Sequence, residues 1–223
     1  MEAAAAIARE IAALRRADTA SIRAVRRRWS KSLRSSPAAE VLAVAAAFEA
    51  QAGQTGKWVA YELVRFHPGA LAAADEPLIA DFARRAQSWF AVDALGTILT
   101  GPLWARDQVG DALIEAWSRA DDRWLRRSAL VATVGLNARA SGGPGDAGPT
   151  LVICRRLAAD RDDMVVKALS WALRVLSQRD RPAVEAFMSE MGERLAPRVR
   201  REVRHKLSTG LKTPARRQTL TAD

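Results

Sequence analysis

Apolar residues recur along most of the chain at spacings of three and four, the period of an α-helix that buries one face. No segment of strand length alternates apolar and polar positions, and no Asn-Gly or Asp-Gly pair separates two candidate strands. The pattern therefore predicts an all-α protein. The predicted helices cover residues 2–16, 19–34, 37–52, 56–67, 75–87, 88–100, 106–119, 122–139, 149–159, 162–178, 181–193 and 197–209.

Proline and glycine residues punctuate this helical pattern. Pro68-Gly69 and Gly101-Pro102 are each expected to end a helix, because proline cannot continue the hydrogen-bond ladder. The longest glycine-rich segment, SGGPGDAG at 141–148, is not followed by the Lys-Ser or Lys-Thr of a phosphate-binding loop, and no predicted strand precedes it. We interpret it as a connector between helices.

An internal repeat indicates how the helices are arranged. The decapeptides DDRWLRRSAL and RDDMVVKALS are separated by 40 residues, an offset that aligns Asp122 with Asp162 and Arg127 with Lys167. An acidic residue followed by aliphatic, basic and small residues at this period is typical of HEAT-like repeats. We expect a solenoid of stacked antiparallel helix pairs with a basic concave face, forming one domain over residues 1–212.

Cations are concentrated at the two ends of the sequence. Lys and Arg number 35 against 25 acids, which gives a net charge of +10, and 30 of the cations are Arg. Residues 15–34 hold eight cations and one acid, and residues 194–217 hold nine cations and one acid. This distribution favours an anionic partner such as nucleic acid, although an Arg-rich composition also occurs in proteins of GC-rich genomes. Residues 213–223 are expected to form a flexible basic tail.

The inventory of reactive residues excludes several classes of enzyme. Cys154 is the single cysteine and is expected to be a buried, inert thiol, while His67 and His205 are the two histidines. This set provides neither a thiolate or His-rich metal site nor a probable Ser-His-Asp triad, and no nucleotide-cofactor fingerprint occurs. We therefore predict no metal and no cofactor. The apolar run at the start is too short for a signal peptide or membrane span, so a cytoplasmic location is expected.

The stretch SWFAVDALG carries the first candidate site. Trp89, Asp93 and Gly96 follow one another at spacings of four and three, which puts them on one helical face. Asp and Gly are poor residues for the interior of a helix. Their presence there indicates selection for something other than helix stability.

A second stripe combines an indole with polar and basic side chains. Lys167, Trp171, Arg174 and Gln178 share one face of the helix predicted at 162–178. Trp171 either lies under a neighbouring helix with cations extending around it, or is exposed and packs against a sugar or a base.

A cation on an apolar face is the third candidate. Arg127 shares a helical face with Trp124, Val131 and Val134, and is therefore held in place by packing. It is either a structural ion-pair partner or an anchor for a phosphate. The adjacent Arg126 has the pattern of a solvated charge.

Three motifs in order resemble one protein family. SWFAVD, RWLRRSAL and MVVKALSWALR, at their spacing, resemble the AlkD family of bacterial DNA alkylation repair glycosylases, which are HEAT-like-repeat proteins. The resemblance covers about residues 23–212 and is most specific over 88–174. It implies hydrolysis of the N-glycosidic bond of cationic alkylpurines, such as N7-alkylguanine and N3-alkyladenine, in duplex DNA.

By this resemblance Trp89, Asp93, Arg127 and Trp171 occupy the functional positions of the family. Asp93 would then stabilise an oxocarbenium-like sugar and position water, Trp89 and Trp171 would wall the nucleotide, and Arg127 would hold the adjacent phosphate. On physical grounds we expect Gly96 to leave clearance on the same face. Phe90 and Ala91 depart from the family pattern, which often has a second Trp and an acid there. The candidate DNA-binding cations are Arg27, Arg126, Lys167, Arg174, Arg201 and Arg204.

The expected partner is double-stranded DNA containing alkylated purines, bound by a monomer associated with the nucleoid. The alternative is a non-catalytic HEAT-like scaffold that binds DNA or an acidic protein, since charge and helices suit both functions. A pure DNA binder would tolerate loss of the Asp93 carboxylate, because a carboxylate repels phosphate. A glycosylase would not.

Overall fold

The regular structure of the protein is helical throughout the part that the computed structural model describes, residues 2–211. The all-α prediction is confirmed. The predicted tail at 213–223 lies outside the described residues. The helices are α1 (Glu2–Ala12), α2 (Thr19–Ser32), α3 (Ala38–Gln51), α4 (Trp58–Arg65), α5 (Pro68–Ala73), α6 (Glu76–Arg85), α7 (Trp89–Leu95), α8 (Gly101–Trp104), α9 (Asp111–Ser118), α10 (Arg123–Asn137), α11 (Ala147–Arg156), α12 (Asp163–Leu176), α13 (Arg181–Met191) and α14 (Pro197–Thr209).

The helices form two layers. One layer, which we call the site layer, contains α2, α4, α7 with α8, α10, α12 and α14, and each of these packs against the next. The other, the back layer, contains α1, α3, α5, α6, α9, α11 and α13. Apart from α5 with α6 and the continuous α7 with α8, chain-adjacent helices alternate between the layers, so that pairs stack side by side and the apolar core lies between the layers. The predicted helical-repeat solenoid is confirmed.

Helices of the site layer run in the same direction. The side chain of Gln87, before α7, donates a hydrogen bond of 3.3 Å to Asp122, before α10. At the opposite edge Arg179, after α12, donates to the backbone carbonyl of Asn137, the last residue of α10, at 2.8 Å. The N termini of neighbouring helices therefore lie together, and so do their C termini. The layer thus has one edge of helix N termini and an opposite edge of helix C termini.

Equivalent caps begin the two repeated helices. The carboxylate of Asp122 accepts from the backbone N–H of Trp124, and the carboxylate of Asp162 accepts from Met164, each at 2.8 Å. Each carboxylate satisfies a backbone donor that has no partner inside its helix. The 40-residue repeat detected in the sequence thus corresponds to two helices with the same starting geometry.

The helix that carries Trp89 is longer than predicted. It continues from α7 through a π-helical turn, Gly96–Thr100, into α8, so the prediction that Gly101-Pro102 ends a helix is wrong. In the π turn the N–H of Gly101 donates to the carbonyl of Gly96, five residues earlier. The wider turn accommodates the Pro102 ring, which in a regular α-helix clashes with the carbonyl four residues before it.

Other boundaries also differ from the prediction, and the helix predicted at 2–16 ends at Ala12. Pro68 follows the end of α4 as expected but also starts α5, whose N-cap His67 accepts a hydrogen bond at Nδ1 from the N–H of Ala70. Proline fits this position because the first N–H of a helix needs no intrahelical acceptor. The helix predicted from residue 106 starts at Asp111 instead.

Cys154 is buried, as expected, and burial raises the pKa of its thiol to about 12.

Within residues 2–211, no helix combines the length and the apolar composition needed to cross a membrane.

Candidate functional site

A carboxylate–guanidinium pair lies at the contact between α7 and α10. Nε of Arg127 donates to Oδ1 of Asp93 at 2.9 Å, and Nη2 donates to Oδ2 at 2.8 Å. The remaining amino group, Nη1, donates to the backbone carbonyl of Met164 at the start of α12. Two parallel hydrogen bonds fix the plane of the carboxylate as well as its position. The packing of Arg127, predicted from its apolar face, is confirmed, since 5% of the residue is exposed.

Glycines bring the two helices close enough for this pair. A Cβ atom on Gly96 would lie 2.7 Å from Cγ1 and 2.9 Å from the backbone carbon of Val131, and a Cβ on Gly101 would lie 2.5 Å from the backbone carbon of Gly135. Gly96 is buried under α10. Its predicted role, clearance for substrate, is therefore wrong: the missing side chain is required for helix packing, one turn beyond Asp93.

The electrostatics of Asp93 combine two opposing effects. Burial raises the pKa of this carboxyl, and the hydrogen bonds and positive charge of Arg127 lower it; the burial effect is the larger, so the pKa lies above its ordinary value. The side chain nevertheless retains 19% exposure, against 6% for Arg127. The carboxylate is thus the member of the pair that faces outward.

Asp93 lines a cavity of about 240 Å³. Trp89 and Trp171, from α7 and α12, both line it, so the structure brings together the indoles and the carboxylate singled out in the sequence. The complete lining is Thr19, Arg23, Trp58, Trp89, Phe90, Asp93, Ala94, Thr97, Ile98 and Trp171.

The two predicted indoles differ in exposure. Trp89 is 55% exposed, and its ring meets that of Phe90 edge-on with the centroids 5.6 Å apart. Trp171 is half-buried against the core while it lines the cavity. Each of the two alternatives for Trp171 is therefore partly correct: the side chain packs against its neighbours, and it also borders a cavity that is open to a ligand.

A third indole was missed in the sequence. Trp58, the first residue of α4, is 5% exposed and lines the cavity. The guanidinium of Arg23, from α2, lies 5.2 Å from the centre of its ring and donates to Glu62 at 3.2 Å. Only the packing of α2 against α4 and of α4 against α7 brings these residues to the site, and no local spacing in the sequence indicates these contacts.

Three of the predicted DNA-binding cations are engaged within the protein. Arg126 pairs with Asp160 at 2.8 Å and also donates to two backbone carbonyls, so the prediction that it is a solvated charge is wrong. Lys167 pairs with Asp163 at 2.5 Å, one turn away on α12. Arg174 donates to Ser170, and burial lowers the pKa of its guanidinium.

The other three are open to solvent. Arg27 on α2 and both Arg201 and Arg204 on α14 are exposed, and none of them forms an ion pair with another described residue. They lie on the first and the last helix of the site layer. Among the described residues, no cluster of three His, Cys, Asp or Glu side chains has the arrangement of a metal site.

Fold and site together define a helical-repeat protein with a carboxylate at the mouth of an aromatic cavity and cations on the terminal helices of the same layer. A family model described as DNA alkylation repair enzyme matches residues 4–207. The chain therefore belongs to the DNA alkylation repair enzyme family.

A solved structure has a similar fold. It is described as a predicted DNA alkylation repair enzyme from Enterococcus faecalis, with a TM-score of 0.70 and 19% sequence identity over 93% of this chain and 96% of that chain. At this identity the similarity establishes the fold alone. A comparison with curated protein sequences gave no match.

Proposed function

We propose that this DNA alkylation repair enzyme is a glycosylase of the AlkD type, which hydrolyses the N-glycosidic bond of cationic alkylpurines in duplex DNA. N7-alkylguanine and N3-alkyladenine are the substrates that this chemistry suits. The observation that carries the proposal is the Asp93 carboxylate, fixed by Arg127 and facing a cavity walled by Trp58, Trp89 and Trp171.

The leaving group explains why no acid is needed. An alkylated purine already carries a positive charge, which is neutralised when the electron pair of the glycosidic bond moves onto the base. The positive charge then develops on the deoxyribose, and an enzyme accelerates the step by stabilising that charge in a preorganised site. A fixed carboxylate does so with little reorganisation.

The balanced reaction is hydrolysis. The C1′–N bond breaks and its electrons leave with the base, while the oxygen of water forms a bond to C1′. One proton of that water is taken up by the Asp93 carboxylate or passes to solvent. The products are a neutral alkylpurine and an abasic site, and the carboxylate is restored when its proton leaves.

The indoles supply the second electrostatic contribution. Aromatic ring faces attract cations, most strongly in tryptophan. Trp89 and Trp171 line the same cavity as Asp93, and Trp58 adds a third ring that is held beneath Arg23. In the proposed complex these rings enclose the cationic nucleoside from the sides while Asp93 faces C1′.

Arg127 acts first as the positioning residue for Asp93. Three of its N–H groups are occupied by Asp93 and the Met164 carbonyl. In this proposal the phosphate beside the lesion is bound by the guanidinium N–H groups that remain. Arg27, Arg201 and Arg204 attract the flanking duplex. The protein acts as a monomer, in the cytoplasm with the nucleoid DNA.

The test is release of free base from a duplex with a single N7-methylguanine, under single-turnover conditions. We expect Asp93→Asn to slow release on the order of 10²–10³-fold, the cost of removing one preorganised electrostatic group, and to leave duplex binding intact. Asp81→Asn is the matched control, because Asp81 also pairs with arginine but lies on α6 in the back layer. Its rate should equal that of the native protein.

One result would contradict the proposal. If the native protein releases base from neither N7-methylguanine nor N3-methyladenine duplexes, yet binds them with salt-dependent affinity, the protein is a DNA-binding scaffold instead.

A further inference from the structure

Four arginines collect along the edge of the site layer where its helices end. We call Arg65, Arg106, Arg139 and Arg179 the basic edge; they lie at or just after the C termini of α4, α8, α10 and α12. Burial and then the neighbouring charge of Arg106 lower the pKa of Arg65, so these two cations are close in space. Arg65 also donates to the backbone carbonyl of Ser141, 3.3 Å away, in the segment that follows α10.

The glycine-rich segment 141–148 holds part of this edge in place. Arg179 donates through Nε to the carbonyl of Asn137 and through Nη2 to the carbonyl of Gly143, at 2.8 and 2.5 Å. Gly145 has a φ of 84°, and a Cβ there would lie 3.2 Å from Cδ of Arg179. The glycines thus let the chain close around the Arg179 side chain. Nη1 of Arg179 donates no hydrogen bond to any described residue.

A cavity of about 420 Å³ opens between the ends of α10 and α12. It is lined by Asn137, Ala138, Arg139, Ala140, Val175, Gln178 and Arg179. This lining contains two guanidiniums and two carboxamides but no carboxylate. Arg139 and Gln178 are both exposed. No described carboxylate forms an ion pair with any arginine of the basic edge, in contrast to Arg126, Arg127 and Arg174 within the same layer.

The distance from this cavity to the proposed catalytic site follows from helix geometry. Asn137 lies ten residues after Arg127 on α10, and Gln178 lies seven residues after Trp171, so at 1.5 Å per residue the cavity is about 10 to 15 Å away. This displacement runs along the helix axes, across the direction in which the site-layer helices stack. A phosphate in the cavity therefore belongs to a different nucleotide of the bound duplex from the one at Asp93.

We propose that this cavity is a second binding site for a phosphodiester, which takes a backbone phosphate of the same duplex away from the damaged nucleotide. The inference rests on the proposed function for its ligand. Arg139 and Nη1 of Arg179 supply charge-assisted hydrogen bonds and Gln178 supplies a neutral donor. A contact of this kind fixes the register of the duplex, so that Asp93 meets the correct sugar.

Helix dipoles alone do not account for the arrangement. A cation near a helix C terminus stabilises the helix, and this applies to each arginine of the basic edge. It does not require an acid-free cavity between two helix ends, nor the fixed orientation of Arg179. The dipole effect predicts that loss of Arg139 lowers the melting temperature, whereas a phosphodiester site predicts a change in the salt dependence of DNA binding.

The experiment measures affinity for an undamaged duplex as a function of salt. Loss of one phosphate contact reduces the slope of log affinity against log salt by about 0.9, so we expect the defect of Arg139→Ala to shrink by about 3.5-fold between 50 and 200 mM salt. Arg139→Lys should retain the native slope. Arg194→Ala, which removes an exposed cation after back-layer helix α13, is the matched control and should leave the slope unchanged.

Neutral methylphosphonates, placed one at a time in the duplex, locate the contact. With the native protein we expect a substitution at one position away from the lesion to weaken binding, and Arg139→Ala to abolish that penalty. The variant should fold, because Arg139 is exposed and its side chain has no described partner. Gln178→Ala provides a second variant for the same comparison, and melting temperatures report whether each variant is folded.

An unchanged slope for Arg139→Ala overturns the inference, whatever the melting temperature of the variant. If inorganic phosphate also raises the melting temperature of the native protein, and Arg139→Ala loses that shift, the cavity is assigned to a small free anion instead. Because binding of undamaged duplex is measured apart from base release, failure of the glycosylase proposal leaves this test intact.

Discussion

At the scale of single residues, the ionisation of Asp93 is the property on which the proposed chemistry depends. Only the carboxylate form stabilises a cationic sugar or takes a proton from water. Burial favours the neutral acid and Arg127 favours the carboxylate, and the balance leaves the pKa above its ordinary value of 3.8. The ion pair with Arg127 thus offsets part of the effect of burial on the pKa of this carboxyl.

This balance predicts the pH dependence of base release. We expect the acid limb of kcat/KM, which reports the free enzyme, to lie above the ordinary range for aspartate. Arg127→Met removes both effects that lower the pKa, so the limb should move to higher pH as the overall rate falls. The measurement is kcat/KM against pH, corrected for protein-free depurination at each pH.

A variant elsewhere controls for general effects of lost ion pairs. Arg155→Met breaks the pair of Arg155 with Glu190 in the back layer and should leave the acid limb where it is. An acid limb that stays in place for Arg127→Met, or moves to lower pH, would show that Asp93 does not govern the profile.

At the scale of elements, the crossing of the α7–α8 helix over α10 sets the distance between Asp93 and Arg127. Gly96, Gly101 and Gly135 allow the two backbones to touch, and the π-helical turn sits at the same crossing. Thr97 Oγ1 donates to the backbone carbonyl of Asp93 at 2.6 Å, so the carbonyl beside the π turn keeps a partner. The crossing and the turn therefore position the carboxylate together.

Gly135→Ala tests the crossing. Alanine favours a helix over glycine by about 1 kcal/mol, yet the new Cβ would press on the carbonyl oxygen of Gly96 and the backbone of Gly101, which cannot rotate away. We expect the cost of overpacking to exceed the gain in helix propensity, and the free energy of unfolding to fall by about 1–3 kcal/mol. Urea denaturation measures this change, and single-turnover base release should slow as the Asp93–Arg127 geometry shifts.

Gly53→Ala is the control, because a Cβ there has no atom within 4 Å. Its unfolding free energy should equal or exceed the native value. A Gly135→Ala protein as stable as the native one would mean that the helices separate at little cost, and the crossing would then not determine the site.

Sequence patterns predicted those parts of the fold and site that depend on local spacing. The helical period gave the helix class, the caps Asp122 and Asp162 marked the repeat, and the spacing of Trp89 and Asp93 placed both on one face of α7. Contacts between side chains on different helices leave no local pattern in the sequence. The sequence left open whether Arg127 binds a carboxylate or a phosphate, because its partner lies 34 residues away.

The role of Gly96 could not be predicted from local sequence either. A glycine in a helix is equally suited to face a ligand or another backbone, and only the position of Val131 shows that Gly96 does the second. Trp58 was missed for the complementary reason: its local sequence is that of an ordinary core residue, and its place in the cavity depends on how α4 packs beside α7.

At the scale of the whole molecule, the exposed cations bracket the proposed site. Arg27 lies on α2 and Arg201 and Arg204 lie on α14, the two ends of the site layer, while Asp93 and Arg127 lie on its middle helices. Packed helices are about 8–10 Å apart, so five steps from α2 to α14 span about 40–50 Å. That length matches about 12–15 base pairs at 3.4 Å each.

The span predicts that the terminal cations act only on a long duplex. Replacing Arg27, Arg201 and Arg204 together by alanine should reduce the salt slope of binding by about 2.7 for a 20-base-pair duplex, at about 0.9 per phosphate contact. For an 8-base-pair duplex centred on the lesion, the same variant should differ little from the native protein, because so short a duplex reaches neither end of the site layer. Fluorescence anisotropy over a range of salt concentrations measures both slopes.

A variant with the same change in net charge separates local contact from general attraction. Arg9, Arg84 and Arg194 lie on or after back-layer helices, and replacing all three by alanine removes an equal charge. If DNA binds along the site layer, this control keeps a slope close to the native one for the long duplex. Equal losses for the two triple variants would mean that net charge alone attracts DNA, and the terminal helices would then have no special part in binding.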